Sequence, residues 1–307
     1  MRVLLSIVVS SVLFICAANS PEFIDKSNAQ QIKQKLANIP GILTNQTNEL
    51  ADYINLSSSK KNTRLLQYQN QFPVPNNQYP NLRFNRYNNS QRTLPKNFDL
   101  RLKLQNCTRS IITQNTCNSC WAIVIANIIS DRLCLMGKNI SLSIQDLLEC
   151  STENKCCEGG YASKGYEYMI DHGIVEEKHK PYDAECGICR NTTNITKYKC
   201  NPGSIWFSDN VEVTKWELMN RGPIGAVFDL YDDLTIYRDG VYTHKSGKNL
   251  GPHAVQVMGW GTDANGVEYW ICRNSWGDVW GLKGDFYIKM GECRINEFMS
   301  SCEPLVE

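Results

Sequence analysis

The sequence has no excess of charge of either sign and, after its first twenty residues, no long apolar run. Lys and Arg number 32 and Asp and Glu number 31, so no overall field attracts nucleic acid or an anionic membrane. No later stretch approaches the roughly 18 to 20 apolar residues that a membrane span needs, and no internal repeat is visible. We therefore expect no nucleic-acid partner and no membrane span.

Cysteine is absent from residues 21–93 but abundant elsewhere. The chain of 307 residues has 14 cysteines, and all except Cys16 lie after residue 93. This number is high for a reducing cytosol and indicates an oxidising compartment. Arg2, an apolar stretch over residues 3–18 and small residues near Ser20 predict a secretory signal peptide over residues 1–20. A membrane anchor is the alternative, although the run is short.

Residues 21–93 differ in composition from the rest of the chain and end in a Pro/Asn/Gln-rich stretch that should run extended. Ser27 and Thr47 can each cap a short amphipathic helix that needs a partner surface. A disordered tail is the alternative interpretation. Seven Asn-x-Ser/Thr sequons agree weakly with passage through a secretory lumen: Asn45, Asn55, Asn88, Asn106, Asn139, Asn191 and Asn194.

Residues 94–307 form the predicted mature domain, whose first half has helical patterns and whose second half has strand patterns. Helices are predicted from Cys120 to about Leu135, from a cap at Ser143 to residue 150, over 163–171, and from Thr214 to the Gly-Pro at 222–223. Strands are predicted over 224–229, 236–243, 253–259, 267–273 and 285–289. This order predicts an α+β fold with two lobes and a cleft between them.

Three short segments carry the candidate chemistry. Cys120 lies where a polar loop turns into an apolar helix, and free backbone N–H groups with the helix dipole favour its reactive thiolate. His253, one of only four histidines, begins a buried strand where an imidazole needs a specific partner. Asn274 follows another strand and can orient that imidazole, while Trp276 shields the bond from water. Taken singly, the segments also fit a disulfide partner, a satisfied core histidine and a turn.

In this order, Cys, His and Asn are separated by 133 and 21 residues, which resembles the papain and cathepsin family of cysteine proteases. The resemblance covers residues 94–307 and implies the papain-like fold, with a helical left lobe and an antiparallel, β-barrel-like right lobe. It implies that Cys120 is the nucleophile, His253 the acid/base and Asn274 the orienting residue. Gln114 matches the family's side-chain donor to the oxyanion. No metal or cofactor is expected.

Within the family the segments around Cys134 and Leu94 resemble cathepsin B-like members. This resemblance implies disulfides between Cys107 and Cys134 and between Cys117 and Cys157. Cys150 is expected to pair near Cys186, with Cys189 and Cys200 as open alternatives. No partner is predicted for Cys156, Cys293 or Cys302.

The sequence departs from the family pattern in its active-site loop and beside its cleft. Asn115 and Asn118 replace two usual glycines, and asparagine tolerates the left-handed conformation better than other residues. Ile123 replaces a usual phenylalanine. Only three residues separate Tyr182 from Cys186, and no His-His pair exists. The loop that blocks one end of the cleft in cathepsin B is therefore missing, which predicts an endopeptidase.

Motif alignment also predicts the residues that bind substrate. Gly159 and Gly160 should let the substrate backbone approach closely. The pocket for the second residue on the acyl side should have Tyr161, Val227 and Ala254 as walls and Phe298 as floor, which favours Val, Leu or Pro over Arg. Substrate-binding residues are therefore Gly159, Gly160, Tyr161, Val227, Ala254, Trp276 and Phe298. A shift of one residue in the alignment would place Glu297 at the floor.

These observations predict a secreted or lysosomal cysteine endopeptidase that is made as a zymogen. Its expected partners are peptide and protein substrates, its own pro-segment as inhibitor and cystatin-like inhibitors, and it should be a monomer. A catalytically weak homologue that acts as a binding protein is one alternative. The other is a thiol-disulfide oxidoreductase, because Cys117 and Cys120 form a Cys-x-x-Cys.

Overall fold

The computed structural model describes residues 94–107 and 109–306, and these residues form a helical lobe and a sheet lobe. The predicted signal peptide and pro-segment lie outside the described residues. None of the described helices has the length and apolar character that a membrane crossing requires. The predicted two-lobe α+β architecture is confirmed.

The helical lobe, hereafter the first lobe, contains helices α1 (Cys120–Leu135), α2 (Ile144–Cys150) and α3 (Ala162–Asp171). Helix α1 is apolar on nearly every side because other elements cover it on every side. Helix α2 begins where the predicted cap, Ser143, accepts a hydrogen bond from the backbone N–H of Asp146 at 2.9 Å. Aliphatic side chains dominate this core, which includes Ile125, Ile128, Ile129, Leu133, Leu147 and Leu148.

The sheet lobe, hereafter the second lobe, contains one mixed sheet and helix α4 (Val211–Arg221). The strands are β1 (Phe98–Asp99), β2 (Trp206–Ser208), β3 (Ile224–Tyr231), β4 (Val241–Tyr242), β5 (Asn249–Thr262), β6 (Glu268–Arg273), β7 (Asp285–Lys289) and β8 (Met299–Ser301). Their order is β2-β8-β3-β5-β6-β7-β4, with β1 paired to β5. All pairs are antiparallel except β4 with β7, and within the described residues the sheet is open rather than closed into a barrel.

Two predicted elements differ from the structure. Helix α4 begins before Thr214, because Asn210 accepts a hydrogen bond from the backbone N–H of Val213 at 3.0 Å and caps the helix earlier. The predicted strand over 236–243 is wrong except at Val241–Tyr242. Residues Asp232–Ile236 form a 3₁₀ turn instead, since aspartates disfavour strands and Asp233 accepts hydrogen bonds from backbone N–H groups of residues 245 and 246.

The lobes meet where α1 packs against β5. The fully buried guanidinium of Arg132 on α1 donates to Glu217 on α4 at 3.1 Å and to the carbonyl oxygens of Pro223 and Cys302. This buried charge is therefore paired and hydrogen-bonded, as a charge in a protein interior must be. The contact joins the helix that begins at Cys120 to the lobe that carries His253.

Candidate active site

Cys120 is the first residue of α1, and Ser119 precedes it as the N-cap. The Ser119 hydroxyl does not cap the helix but lies 2.5 Å from the hydroxyl of Tyr182. The thiol lies at the positive end of the helix dipole, where the backbone N–H of Trp121 also helps to lower its pKa. Burial by itself raises the pKa of Cys120. The hydrogen bond and charge of His253 outweigh burial, so the net pKa of the thiol is lowered from its usual value.

His253 lies on β5 with 4% of its surface exposed. Its Nε2 donates to Oδ1 of Asn274 at 2.8 Å, which leaves Nδ1 for the thiol. Burial lowers the pKa of His253, but the hydrogen bond and charge of Cys120 and the hydrogen bond of Asn274 raise it above its usual value. The opposite shifts of the two groups favour a thiolate beside an imidazolium.

The loop after β6 holds Asn274 and Trp276 against the imidazole. The backbone N–H of Ser275 donates to Oδ1 of Asn274 at 2.8 Å, which fixes the orientation of that side-chain amide. The Trp276 ring stacks on the His253 ring with centroids 5.2 Å apart. The structure thus places Trp276 where sequence reasoning expected a shield over the imidazole.

Gln114 lies in the active-site loop and is 8% exposed. Its Nε2 donates to the carbonyl oxygen of Cys117 at 3.0 Å, and its Oε1 accepts from the hydroxyl of Ser275 at 2.5 Å. The contact with Ser275 was not predicted, because no local signal pairs residues separated by 161 positions. In the same loop Asn115 adopts the left-handed conformation, with φ of 53°, whereas Asn118 does not.

Five disulfides form in the described residues, and each of them has at least one cysteine in the first lobe. The structure joins Cys107 to Cys134 and Cys117 to Cys157, as the family resemblance implied. For Cys150 the bond goes to Cys189, which the sequence leaves open as an alternative, and not to Cys186. Cys156 bonds to Cys186, and Cys200 bonds to Cys302.

The adjacent positions of Cys156 and Cys157 in the chain explain these pairings. Cys157 is bonded to Cys117, so its neighbour Cys156 reaches the other way to Cys186, and Cys189 then lies beside the end of α2. Cys120 remains a free thiol. With Cys117 bonded to Cys157, Cys117 and Cys120 are not a redox pair in this structure.

The predicted pocket residues fall into two groups. Val227 on β3 and Ala254 on β5 are directly paired, and the Val227 N–H donates to the Phe298 carbonyl oxygen at 3.2 Å, so these three lie together. Tyr161 lies on the first lobe and is 38% exposed. The structure therefore brings together the three pocket residues that were predicted on the second lobe, Val227, Ala254 and Phe298.

Arg294 was missed by sequence reasoning. Its guanidinium lies 5.8 Å from the centroid of the Phe298 ring, and Asp229 holds it with bonds of 2.7 and 2.8 Å. Glu297 bonds the same guanidinium at 3.4 Å. No sequence signal identifies Arg294, since its contact with Asp229 spans 65 positions.

Gly159 and Gly160 lie beside the active-site loop, next to the disulfide of Cys157. Gly159 has φ of 104°, a conformation that side chains rarely adopt. A Cβ at Gly160 would come within 2.7 Å of the Trp121 ring and of Asn154 Oδ1. Both glycines are therefore required by the backbone path along the first lobe.

Comparison with known families now identifies the class of protein. Residues 94–302 match the model of the papain family cysteine proteases, and the chain belongs to this family and is a cysteine peptidase. Within the family it is cathepsin B-like. It is 33% identical over 242 residues to cathepsin B of Dictyostelium discoideum, which covers 71% of this chain and 77% of the relative. It is 36% identical over 250 residues to cathepsin B-like cysteine proteinase 5 of Caenorhabditis elegans, with coverage of 66% and 72%.

Solved structures agree with this assignment. Procathepsin B S9 from Trypanosoma congolense has a TM-score of 0.65 at 32% identity and covers 70% of this chain and 80% of its own. The bromelain protease from Ananas comosus, solved in complex with the E64 inhibitor, has a TM-score of 0.60 at 26% identity, with coverage of 68% and 99%. These matches show the same fold in both proteins.

Proposed function

We propose that the chain is an endopeptidase that cleaves peptide bonds through Cys120, His253 and Asn274. The observation that carries the proposal is the hydrogen-bonded series from the thiol at the start of α1, through the imidazole, to Oδ1 of Asn274 at 2.8 Å. The thiolate attacks the peptide carbonyl, and the imidazolium protonates the leaving amine. Water then hydrolyses the acyl-enzyme with His253 as base.

The developing oxyanion needs donors that are already in place. The backbone N–H of Cys120 at the helix start is one donor. Gln114 is the other, because its Nε2 carries two hydrogens and only one is used by the Cys117 carbonyl oxygen. Its Oε1 is held by Ser275, which keeps the side chain beside the nucleophile.

The test of this mechanism compares two variants with the wild-type protein. Cys120→Ala should abolish turnover, and Asn274→Ala should weaken it less because the nucleophile and base remain. E64, the inhibitor in the bromelain complex, should label the wild-type thiol and not Cys120→Ala. Retained activity in Cys120→Ala would show that Cys120 is not the nucleophile. A wild-type protein that is neither labelled nor active would favour the binding-protein alternative.

Residues 21–93 are proposed to inhibit the enzyme until they are removed, after a signal peptide over residues 1–20 has directed the chain to the secretory pathway. Two observations support the boundary: the family match begins at Leu94, and one similar structure is a procathepsin. The purified precursor should be less active than protein that begins at Leu94. A separate 21–93 peptide should inhibit that shorter protein, and equal rates in both comparisons would reject the idea.

The cleft is proposed to be open at the end that cathepsin B blocks, so that the enzyme cuts internal bonds. Residues after Tyr182 are held close to the first lobe by disulfides at Cys186 and Cys189, and the short segment offers no histidine to a substrate carboxylate. Internally quenched peptides with blocked C-termini should be cut. Efficient release of dipeptides from free C-termini alone would contradict this proposal.

The pocket around Phe298 is proposed to accept Val, Leu or Pro and to reject Arg. The Arg294 guanidinium over the Phe298 ring supports this proposal, because it already binds the neighbouring carboxylate of Asp229 and leaves that group unavailable to a substrate arginine. Glu297 is bonded to Arg294, so it does not offer a free carboxylate as the floor. An unpaired charge in an apolar pocket costs several kcal/mol.

Substrates that differ only at this position test the pocket. Leu should exceed Arg in kcat/KM, and Phe298→Glu should raise the relative rate on Arg because the change affects one substrate's transition state selectively. Phe207→Glu, at a half-exposed phenylalanine on β2, is the matched control and should leave the ratio unchanged. Arg equal to or better than Leu in the wild-type enzyme would refute the proposal.

The proposed setting is the secretory pathway, with a lysosome-like vesicle or the extracellular space as destination. The five disulfides support an oxidising compartment. The proposed partners are peptide substrates, the pro-segment and cystatin-like inhibitors, and the enzyme should be a monomer. Secretion of the tagged full-length chain with loss of residues 1–20 would test the first point.

A further inference from the structure

A small cavity lies behind the proposed catalytic pair, between helix α1, the middle of strand β5 and the end of strand β6. Its lining is mixed and includes the apolar side chains of Ile123, Val124 and Ala254 and the polar side chains of Asn127, Gln256, Arg273, Asn274 and Ser275. Its volume is roughly that of one water molecule. A cavity of this volume has room for one water molecule if polar groups line it, whereas a wholly apolar cavity stays dry.

Two buried polar atoms belong to the residues that line this cavity, and neither has a hydrogen-bond partner among the described residues. They are Oε1 of Gln256 and Nδ2 of Asn274, whose residues are 2% and 4% exposed. One is an acceptor and the other a donor. Buried polar atoms in native proteins are nearly always paired, with protein or with ordered water.

The identities of these two atoms are determined by their neighbours. The other end of the Gln256 amide lies 2.7 Å from Oδ2 of Asp131, and a carboxylate requires a donor there, so that atom is Nε2. The other end of the Asn274 amide accepts from the backbone N–H of Ser275 and from His253 Nε2, so that atom is Oδ1. The acceptor of Gln256 and the donor of Asn274 are therefore the two groups that lack a partner among the described residues.

We propose that a buried water molecule in this cavity accepts a hydrogen bond from Asn274 Nδ2 and donates one to Gln256 Oε1. The water has the two polar partners that a buried site needs. Gln256 thereby becomes a positioning residue, because it holds the Asn274 amide with Oδ1 directed at His253. This role rests on the proposed function of Asn274.

The support continues from Gln256 into the first lobe. Asp131 on α1 accepts from Gln256 with one oxygen and from Arg109 Nε at 2.6 Å with the other. Both charged side chains are buried, at 6% and 3% exposure, and charge-assisted bonds of this kind are the stronger ones. An ion pair of the first lobe therefore orients, through one amide and one water, the residue that orients the base on the second lobe.

A crystal structure of the Cys120→Ala protein, which cannot digest itself, tests the site without using activity. We expect a water within about 3.2 Å of both Gln256 Oε1 and Asn274 Nδ2. A dry cavity, or a direct contact between the two side chains, would overturn the proposal. This readout stands even if the protein proves to have no peptidase activity, so the two proposals fail separately.

Kinetics of Gln256→Met test the positioning role. We expect kcat to fall about 2- to 10-fold, the change that one hydrogen bond produces, with little change in KM. We also expect the alkaline limb of the kcat/KM profile to move to lower pH, because a loosely held Asn274 stabilises the imidazolium less. Cys120 and Asn274 are the groups that act on His253, and the rings of Phe228 and Trp276 against it do not titrate.

Gln145→Met is the matched control. Gln145 is a buried glutamine of α2, 1% exposed, whose Nε2 donates to Glu149 and to the Glu185 carbonyl oxygen at 2.8 Å. Its loss removes a comparable buried amide without touching Asn274, so kcat and the pH profile should stay those of the wild type. If the two variants share one kcat and one pH profile, Gln256 has no positioning role. If Gln256→Met does not fold, the crystal structure decides.

Discussion

The two lobes are stabilised in different ways. The first lobe has an aliphatic core and is cross-linked by disulfides. Each disulfide of the described residues has at least one cysteine in this lobe. The second lobe keeps two free thiols, Cys272 and Cys293. Its core is aromatic and includes Trp260, Trp270, Trp280, Phe228 and Phe286. Disulfides therefore stabilise the first lobe, whereas large buried aromatic rings stabilise the second.

This division matters because each lobe carries half of the candidate site. The proposed nucleophile, Cys120, begins a helix of the cross-linked lobe, and its proposed base, His253, lies on a strand of the aromatic lobe. Their geometry therefore depends on both kinds of stabilisation and on the buried contacts of Arg132 and Gln256 that join the lobes. The following changes test the comparison.

Removal of the His253 imidazole, which the second lobe contributes to the site, should have the largest effect on activity. His253→Ala removes the group that lowers the pKa of the thiol, so kcat/KM should fall by roughly 10²- to 10⁴-fold while the fold persists. His179→Ala, at an exposed histidine of the first lobe, is the control and should leave hydrolysis unchanged. Activity near that of the control would remove His253 from the mechanism.

Truncation of an aromatic side chain in the core of the second lobe should cause the largest loss of stability among these variants. Phe286 is fully buried against Trp280, Phe228 and Tyr237, and Phe286→Ala should lower the free energy of unfolding by about 3–5 kcal/mol. Denaturant unfolding in the Cys120→Ala background measures it. Phe207→Ala, at a half-exposed ring, should cost far less, and equal losses would show that the core does not depend on Phe286.

Removal of a first-lobe cross-link should cost somewhat less. The Cys117–Cys157 disulfide spans 40 residues, and the double variant Cys117→Ala/Cys157→Ala should lower the free energy of unfolding by about 2–4 kcal/mol. It should also reduce activity, since the bond ties the Cys120 loop to the glycine segment. Cys293→Ala removes an unpaired thiol of the second lobe and should change stability little. If the double variant unfolds like this control, the cross-link contributes nothing.

The smallest effect should come from Asp233, in the 3₁₀ turn of the second lobe, whose negative charge makes the stability of the fold depend on pH. Burial raises the pKa of Asp233, but hydrogen bonds from backbone N–H groups, Tyr242 and His244 lower it to about 2. A lowered carboxyl pKa stabilises the fold at neutral pH, and this contribution disappears as pH falls from about 4 to 2.

For this partly exposed group we expect about 1–2 kcal/mol, discounted for solvent screening. Stability measured from pH 5 to pH 2 should therefore fall less in Asp233→Asn than in the parent protein. Asp171→Asn, at an exposed carboxylate of the first lobe, should follow the parent. Parallel curves for parent and Asp233→Asn would disprove the contribution.

Local patterns predicted most helices and strands correctly because apolar periodicity and caps act over a few residues. Ser143 caps α2 as expected, and Cys120 begins α1. The strand prediction around residue 236 failed because the side chain of Asp233 bonds backbone groups twelve and thirteen residues away. The short strands at Phe98, Trp206 and Met299 were missed, since their partners lie far along the chain.

By itself, the sequence determined which residues are the candidates for the proposed chemistry and in which order they occur. A thiol at a helix start, a histidine entering a strand and an asparagine after a strand are local patterns. Only the tertiary structure decided that Cys150 bonds to Cys189, that Arg294 covers Phe298, and that Gln256 and Asn274 share one cavity. These contacts join residues far apart in the chain. They arise from how the two lobes pack, which no window of sequence contains.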